Sequence, residues 1–205
     1  MVIKRNNKEC ICYIIQLDIK RYFEDLNMRI LIFGGAFDPP HLGHLGLLEK
    51  ALALEIFEEI WLMPTFIPPL KMNNSDSSVA GPTDRLEMCR ILTEHLTQNT
   101  QHKKLRVLDL EIKRGGKSYT IDTVRKLKSQ YSQNQFSFLI GSDWVKDLGK
   151  WHKAEELFKE IEFISLPRTE ISSSKIREKI KKGQSIKGLV PEEIEEYIKR
   201  HKLYV

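Results

Sequence analysis

The fold of this chain is decided by residues 34–44, which read Gly-Gly-Ala-Phe-Asp-Pro-Pro-His-Leu-Gly-His. Before them lies the apolar run Ile30 to Phe33, which has the length and composition of a buried parallel strand. After them, Leu45, Leu48 and Leu52 recur at the spacing of an amphipathic helix. Residues 34–44 are therefore predicted to lead the chain from a buried strand into a helix.

The glycines and histidines of this turn indicate phosphate chemistry. Gly34 and Gly35 allow the backbone to approach a phosphate group closely and to adopt positive φ. Exposed amides in such a turn, with the N-terminus of a helix behind them, attract anions. His41 and His44 lie three residues apart and share one face at the start of the helix. Two imidazoles there can donate hydrogen bonds to a phosphoryl group as its negative charge grows.

Short apolar runs alternate with amphipathic segments along the remainder of the chain. The predicted strands are 30–33, 60–63, 105–110, 136–140 and 161–166. The predicted helices are 45–52, 82–96, 119–131, 154–158, 171–182 and 191–200. This alternation predicts an α/β fold with a doubly wound, mostly parallel sheet and helices on both faces. In such folds ligands bind beyond the carboxyl ends of the strands, which is where residues 34–44 lie.

The first 27 residues differ from the rest, and Met28 is a plausible alternative start of translation. We therefore expect an N-terminal extension or a mis-assigned start over residues 1–27, followed by a single domain over residues 28–205. Cys10 and Cys12 lie in the first segment, but no second Cys/His pair follows at zinc spacing, so we expect no protein-held metal.

Composition indicates which kinds of partner the chain is expected to bind and in which cellular compartment it is expected to work. The net charge is +5, which a phosphate-rich small substrate satisfies without any nucleic acid. No apolar run approaches the ~18 residues of a membrane span, so no membrane partner is expected. Three cysteines do not form a disulfide framework, which favours a reducing compartment and hence the cytoplasm.

A second motif lies near the C-terminus, at residues 171–177, which read Ile-Ser-Ser-Ser-Lys-Ile-Arg. Serines that precede a helical apolar stripe are N-caps. Their hydroxyls and the helix N-terminus can also hold phosphates, and Lys175 and Arg177 would add positive charge. An ordinary serine cap followed by surface bases remains the alternative for this motif taken alone.

Together the two motifs resemble the HxGH nucleotidylyltransferase superfamily, whose members share a Rossmann-like fold. Further segments are similar to bacterial nicotinate-nucleotide adenylyltransferases in particular. These segments are residues 64–71, Arg85 with Met88, residues 111–123, Gly141 to Asp143 with Trp151, and residues 189–204. The Ser-Tyr-Thr of residues 118–120 is the most specific, and the resemblance runs from Met28 to Tyr204.

The resemblance implies a reaction in which ATP is joined to nicotinate mononucleotide and pyrophosphate is released. It implies catalytic roles for His41, His44 and Arg177. It implies ATP-binding roles for Gly34, Gly35, Ala36, Phe37, Gly141, Asp143, Ser173 and Ser174. It implies nicotinate mononucleotide-binding roles for Lys71, Arg85, Thr120, Trp151 and His152. We expect Mg²⁺ to be carried by the ATP phosphates, since the motifs show no carboxylate cage; a homo-oligomer is left open.

The chain departs from the family pattern at two places. Leu70 stands where the family has a histidine in its Pro-Pro-His-Lys loop. Only Thr169 and Glu170 separate Arg168 from Ile171, where family members usually place a loop and often a further strand. The short link leaves open where Ser173 and Arg177 lie.

Two alternatives remain at this point. Phosphopantetheine adenylyltransferase shares both outer motifs, although its acceptor pocket does not call for the Ser-Tyr-Thr segment. A nucleotide or RNA binder without catalysis is the alternative from another class, and the retention of both histidines disfavours it. Fold alone does not separate these alternatives.

Overall fold

The computed structural model describes residues 27–69, 79–99 and 105–205. Its centre is a five-stranded parallel sheet with the strand order β3-β2-β1-β4-β5. The strands are β1 (Arg29–Gly35), β2 (Glu59–Pro64), β3 (Leu105–Val107), β4 (Gln135–Gly141) and β5 (Glu162–Leu166). The predicted α/β class and parallel sheet are confirmed.

Helices follow the strands along the chain. They are α1 (Leu42–Leu52), α2 (Pro82–Asn99), α3 (Leu110–Arg114), α4 (Thr120–Gln130), α5 (Ala154–Glu160), α6 (Ser173–Lys181) and α7 (Glu192–Arg200), with a 3₁₀ helix at Ser142–Lys150. Strand residues alternate between two apolar clusters, so that Leu31 and Phe33 face one cluster while Ile30 and Ile32 face the other. Each face of the sheet therefore carries its own core, as a doubly wound fold requires.

The strand order fixes where a ligand can bind. β1 lies at the centre, with β2 on one side and β4 on the other. After β1 the chain forms β2 and β3 toward one edge of the sheet, and it then forms β4 and β5 on the other side of β1. The connections that leave the carboxyl ends of β1 and β4 therefore diverge. This divergence opens a crevice, and open α/β sheets bind their ligands at such a point.

The predicted strand over 105–110 is wrong beyond Val107. Asp109 caps the short helix α3, so the apolar residue Leu110 belongs to a helix rather than to the strand. Gly115 and Gly116 then adopt φ of 71° and 68°, which turns the chain sharply toward Ser118. The alternation of apolar residues over 105–110 is too short to distinguish a strand from the start of a helix.

The remaining elements agree with the sequence to within a few residues at their ends. The 3₁₀ helix at Ser142–Lys150 was not predicted, although Trp144, Val145 and Leu148 recur at a helical spacing within it. Cys10, Cys12 and the first 26 residues lie outside the described residues, so the domain division at residue 27 stays a prediction. None of the helices among the described residues is long and apolar enough to cross a membrane.

Candidate active site

A cavity of about 340 Å³ lies at the carboxyl ends of β1 and β4, at the crevice that the topology predicts. One wall, called here the glycine–serine side, consists of Gly34 to Phe37, His44, Gly141, Arg168 and Ser172 to Ser174. A second part of the lining, called the aromatic side, consists of Thr65, Glu111, Ser118 to Thr120, Trp151 and His152. The cavity thus brings the two motifs of the sequence together with the Ser-Tyr-Thr segment.

His44 lines the cavity, and its protonation is fixed by the backbone. The backbone N–H of His41 donates a hydrogen bond to Nδ1 of His44 at 3.2 Å. Because Nδ1 accepts, a neutral His44 carries its proton on Nε2. The ring packs against Phe37 with centroids 5.0 Å apart. His44 is therefore held as a hydrogen-bond donor in the cavity wall.

His41 occupies a different environment from His44. Its side chain is fully buried and is absent from the cavity lining. Its ring lies against the ring of His44, with centroids 3.8 Å apart. Of the two histidines predicted to contact phosphate, the structure places His44 at the cavity wall and His41 behind it, as a support for its position.

Glycine is required at two places in this motif. A Cβ on Gly34 would lie 2.7 Å from the ring of Phe138, and one on Gly43 would lie 2.7 Å from Thr169 Oγ1. Phe37 adopts a positive φ of 49°, which is rare for a bulky side chain and commonest where a site dictates the backbone. The tight turn holds the backbone of Gly34 to Phe37 against the cavity.

Asp38 fixes the loop beneath the glycine–serine side. It is buried, and its Oδ1 accepts hydrogen bonds from the backbone N–H of Ala80 and from the hydroxyl of Tyr204, each at 2.9 Å. Arg177 donates to the Asp38 carbonyl at 2.7 Å and lies 3.4 Å from its carboxylate. Burial, together with the Asp38 charge, raises the pKa of Tyr204 well above its usual range. Arg177 therefore supports this loop and is not among the residues that line the cavity.

The short link between β5 and α6 still brings the serines to the cavity. Ser172 accepts a hydrogen bond from the backbone of Lys175 as the N-cap of α6. Ser173 donates to the carbonyl of Pro39 at 2.9 Å, which ties α6 to residues 34–44. Ser172 to Ser174, at the N-terminus of α6, line the same cavity as His44. An anion-binding arrangement results.

Arg168 is a cavity residue that sequence reasoning missed. It lies in the short link, and its guanidinium pairs with Asp143 at 2.6 Å. Asp143, predicted to hold a ribose hydroxyl, is thus close to the cavity and held by an arginine. A lone arginine after a strand carries no sequence signal that separates it from a surface base.

The aromatic side presents flat rings and a helix N-terminus. Tyr119 stacks on His152 with ring centroids 4.1 Å apart. Trp151 meets Phe138 edge-on, at 5.9 Å between centroids. Thr120 begins α4 and lines the cavity beside them. Such a wall suits a flat, partly polar ring.

Arg85 and Lys71 were also predicted to contact nicotinate mononucleotide. Arg85 is buried, and its guanidinium donates to the carbonyls of Ala80, Ala36 and Phe66 at 3.1, 2.8 and 2.8 Å. It does not line the cavity, and it joins two segments that do. Lys71 lies outside the described residues.

Glu111 is a further cavity residue to which the sequence assigned no role. It is a buried carboxyl group on α3, and its Oε1 accepts a hydrogen bond from the hydroxyl of Thr123. Burial raises the pKa of Glu111, against the opposing effects of the Thr123 and Ser118 hydroxyls and the charges of Arg114 and Arg85. The only sequence signal for Glu111 was its position at the start of residues 111–123, a segment that resembles the family.

The cavity lining contains serine and threonine residues and backbone amides, which are compatible with phosphates that carry a metal ion. Across residues 27–69, 79–99 and 105–205, no group of three or more His, Cys, Asp or Glu side chains is placed to hold a metal ion. Mg²⁺ keeps several waters and commonly binds through substrate phosphates, which is compatible with this lining.

Comparison with known proteins identifies the family. Residues 32–179 match the family model described as Cytidylyltransferase-like. The chain is 36% identical to the nicotinate-nucleotide adenylyltransferase of Bacillus subtilis over 194 residues, which cover 86% of this chain and 98% of that protein. It is also 36% identical, over 197 residues, to a protein of Exiguobacterium sibiricum named "Probable nicotinate-nucleotide adenylyltransferase", covering 86% of this chain and 99% of that one.

A solved structure agrees with these relatives. It is nicotinic acid mononucleotide adenylyltransferase from Plasmodium falciparum, complexed with NaAD, and it superposes with a TM-score of 0.69 at 25% identity. The match covers 86% of this chain and 97% of that chain. A parallel sheet of this order, a glycine turn with His44 at its crevice, and near-complete alignment to these relatives lead to one assignment: the chain belongs to the nicotinate-nucleotide adenylyltransferase family.

Proposed function

We propose that the chain transfers the adenylyl group of ATP to nicotinate mononucleotide, giving nicotinate adenine dinucleotide and pyrophosphate. The observation that carries this proposal is that His44, whose Nδ1 accepts a hydrogen bond, lines a cavity together with a glycine turn, a serine-capped helix and aromatic rings. Family membership selects nicotinate mononucleotide over phosphopantetheine as the acceptor.

In the proposed reaction, a phosphate oxygen of nicotinate mononucleotide attacks the α-phosphorus of ATP. The bond from the α-phosphorus to the bridging oxygen breaks as the new bond forms, and pyrophosphate leaves with the electron pair. No covalent intermediate with the enzyme is needed, so catalysis comes from positioning and from charge stabilisation. His44 donates from Nε2 to the α-phosphoryl group, where negative charge accumulates in the transition state.

The glycine–serine side binds the nucleotide in this proposal. The backbone of Gly34 to Phe37 and Gly141 lies along ATP, and the α6 N-terminus with Ser173 and Ser174 holds its phosphate tail. Asp143, together with Arg168, lies where a ribose hydroxyl of ATP is bound. His41 and Arg177 act as positioning residues, because the first packs behind His44 and the second holds Asp38.

The aromatic side binds the acceptor. Trp151 and the Tyr119–His152 stack frame the nicotinate ring, and backbone amides near Thr120 and His152 receive its carboxylate. Arg85 contributes by fixing the segments of Ala36 and Phe66. Lys71 completes the acceptor contacts in this assignment.

Mg²⁺ enters as the ATP complex, and when bound it neutralises charge on the phosphates. The protein supplies hydroxyls, amides and His44 around those phosphates rather than a set of carboxylate ligands. We also propose that the reaction takes place in the cytoplasm without nucleic acid, since sparse cysteines and a moderate positive charge agree with a small phosphorylated substrate.

Pyrophosphate release from ATP and Mg²⁺ tests the function directly. Nicotinate mononucleotide, nicotinamide mononucleotide and phosphopantetheine are offered as acceptors to the wild-type chain. Rapid release with the first, and slow or no release with the other two, is the expected result. Release with phosphopantetheine alone, or ATP binding without release from any acceptor, contradicts the proposal and points to one of the two alternatives.

A further inference from the structure

The aromatic side contains buried polar atoms whose hydrogen-bonding capacity is not used by the protein. Thr65 Oγ1, Glu111 Oε2 and Trp151 Nε1 have no hydrogen-bond partner among the described residues. All three residues line the cavity. Buried polar atoms in folded proteins are nearly always paired, so unpaired ones at a cavity wall indicate groups that a ligand or water completes.

Glu111 is the most costly of these groups to bury. Its residue is only 6% exposed, and a carboxylate loses more hydration on burial than a hydroxyl or an indole. Its Oε1 is held by Thr123, whose hydroxyl also receives a hydrogen bond from Arg114 at 3.1 Å. The two oxygens of one carboxyl group therefore differ, because one is fixed by α4 and the other is left for a partner.

The position of Glu111 indicates which part of a ligand it meets. A carboxylate repels phosphate, and Glu111 follows β3 at one edge of the sheet, whereas the serines of α6 follow β5 at the other edge. Next to Glu111 is Ser118, whose Oγ accepts from the backbone of Phe66 at 2.9 Å. The Ser118 hydroxyl lies close enough to help lower the carboxyl pKa, but its geometry does not make it a hydrogen-bond partner of Oε2. Ser118 precedes the Tyr119–His152 stack, so Glu111 belongs to the acceptor end.

The chemistry of the acceptor leaves few partners for this oxygen. An ionised carboxylate only accepts hydrogen bonds. In nicotinate mononucleotide the ring carboxylate and the phosphate are acceptors as well, and the ring nitrogen carries no proton. The ribose hydroxyls are its hydrogen-bond donors at neutral pH.

Resting on the proposed function, we propose that Glu111 binds the acceptor substrate, with Oε2 accepting a hydrogen bond from a ribose hydroxyl of nicotinate mononucleotide. Glu111 is then a specificity-determining residue, because it requires a hydroxyl on the sugar of the acceptor. The hydroxyls of ATP are bound on the other side of the cavity.

The test combines a substrate change with a residue change. Steady-state kcat/KM is measured for wild type and Glu111→Gln with nicotinate mononucleotide and with its 2′-deoxy and 3′-deoxy analogues. A hydrogen bond to a charged group predicts that Glu111→Gln, or removal of the one contacted hydroxyl, lowers kcat/KM about ten- to hundredfold. Once Glu111 is replaced, loss of that hydroxyl should cost little more, as a double-mutant cycle detects.

Controls separate binding from structure. Glu178→Gln removes a solvent-exposed carboxylate on α6 that pairs with Lys182, and it should leave all three acceptors unchanged. The same cycle with 2′-deoxy and 3′-deoxy ATP should show no coupling to residue 111. Coupling to ATP instead of the acceptor overturns the proposal.

The remaining outcomes are also decisive. Equal kcat/KM for wild type with all three acceptors overturns the role of Glu111, and this measurement needs no variant to fold. An equal loss in Glu111→Gln for every acceptor indicates a structural role and overturns it too. Failure of wild type to use nicotinate mononucleotide at all contradicts the proposed function itself, a result distinct from normal turnover that is indifferent to the ribose hydroxyls.

Discussion

The two sides of the cavity use their polar groups differently. On the glycine–serine side, His44 Nδ1, Ser173 and the carboxylate of Asp38 behind them are held by hydrogen bonds within the protein. On the aromatic side, Glu111 Oε2 and Trp151 Nε1 have no partner among the described residues. A side whose bonds are already made is rigid, which suits the stabilisation of developing charge. On a side with unpaired polar groups, the correct ligand binds more tightly than one that leaves those groups unpaired, which suits discrimination between substrates.

The largest expected effect comes from replacing Asp38, whose carboxylate supports the glycine–serine side. Asp38→Ala leaves Tyr204 and the N–H of Ala80 without their buried partner, and it removes the carboxylate that lies 3.4 Å from Arg177. Loss of one member of a buried ion pair costs about 3–5 kcal/mol. Chemical denaturation should show that decrease in the free energy of unfolding.

Tyr204→Phe is the matched control for that change. It removes one hydrogen bond to Asp38 and keeps the ring, so it should cost about 1 kcal/mol. If Asp38→Ala proved no more destabilising than Tyr204→Phe, the loop would not depend on the charge of Asp38.

The second change removes the donor from the same side. His44→Ala should lower kcat by about 10²–10³-fold, the usual cost of one transition-state donor, with little change in the melting temperature. His201→Ala is the control, since His201 is exposed and stacks on Tyr197 in α7, away from the cavity lining. A near-normal kcat for His44→Ala would remove His44 from the chemistry.

A smaller effect is expected from the aromatic side. Trp151→Phe keeps an aromatic ring and loses the indole N–H, which is buried without a partner. The loss of one neutral hydrogen bond to the acceptor is worth about 1 kcal/mol, so KM for nicotinate mononucleotide should rise about fivefold. KM for ATP, measured in the same assays, should stay unchanged. An equal rise in KM for ATP and for nicotinate mononucleotide would show that the two sides of the cavity do not bind the two substrates independently.

The smallest expected effect is a gain in stability from Glu111→Gln, a substitution that is expected to lower activity. Burial raises the pKa of Glu111 above 4.5, so the folded chain binds that proton more tightly than the unfolded chain. Below pH 4.5 both states are protonated and the group costs nothing. As pH rises through the folded pKa, ionisation of the buried carboxyl group lowers the stability of the wild type.

Glu111→Gln does not ionise and should escape this loss. The variant should therefore be more stable than wild type at pH 8, and the difference should vanish toward pH 4. Unfolding curves of both proteins across this range give the comparison. A constant difference at all pH values would mean that the carboxyl pKa is not raised.

The sequence predicted most of the fold because the strongest signals are local. The apolar runs of β1 and β4 and the leucine spacing of α1 are sufficient by themselves. The strand predicted over 105–110 failed because Asp109 starts a helix within an alternating pattern. The 3₁₀ helix after β4 was missed although its apolar residues recur at helical spacing, because only three of them lie within nine residues.

The site was predicted less completely, since side-chain direction depends on tertiary contacts. His44 and the serines of α6 line the cavity, whereas Arg85 and Arg177 contact backbone carbonyls and Asp38. Spacing places a residue on one face of a helix, but it does not say whether that face meets a ligand or a neighbouring loop. Glu111 was missed because only its tertiary surroundings show one oxygen paired and the other not.

The short link between β5 and α6 has a mechanical consequence. Its ends are tethered, because Lys50 donates to the carbonyl of Pro167 at 2.8 Å and Arg168 grips both Asp143 and the carbonyl of Ile171. A link this short and this tethered fixes the distance between the end of β5 and the serines of α6. The position of those serines therefore depends directly on where the edge strand β5 lies in the sheet.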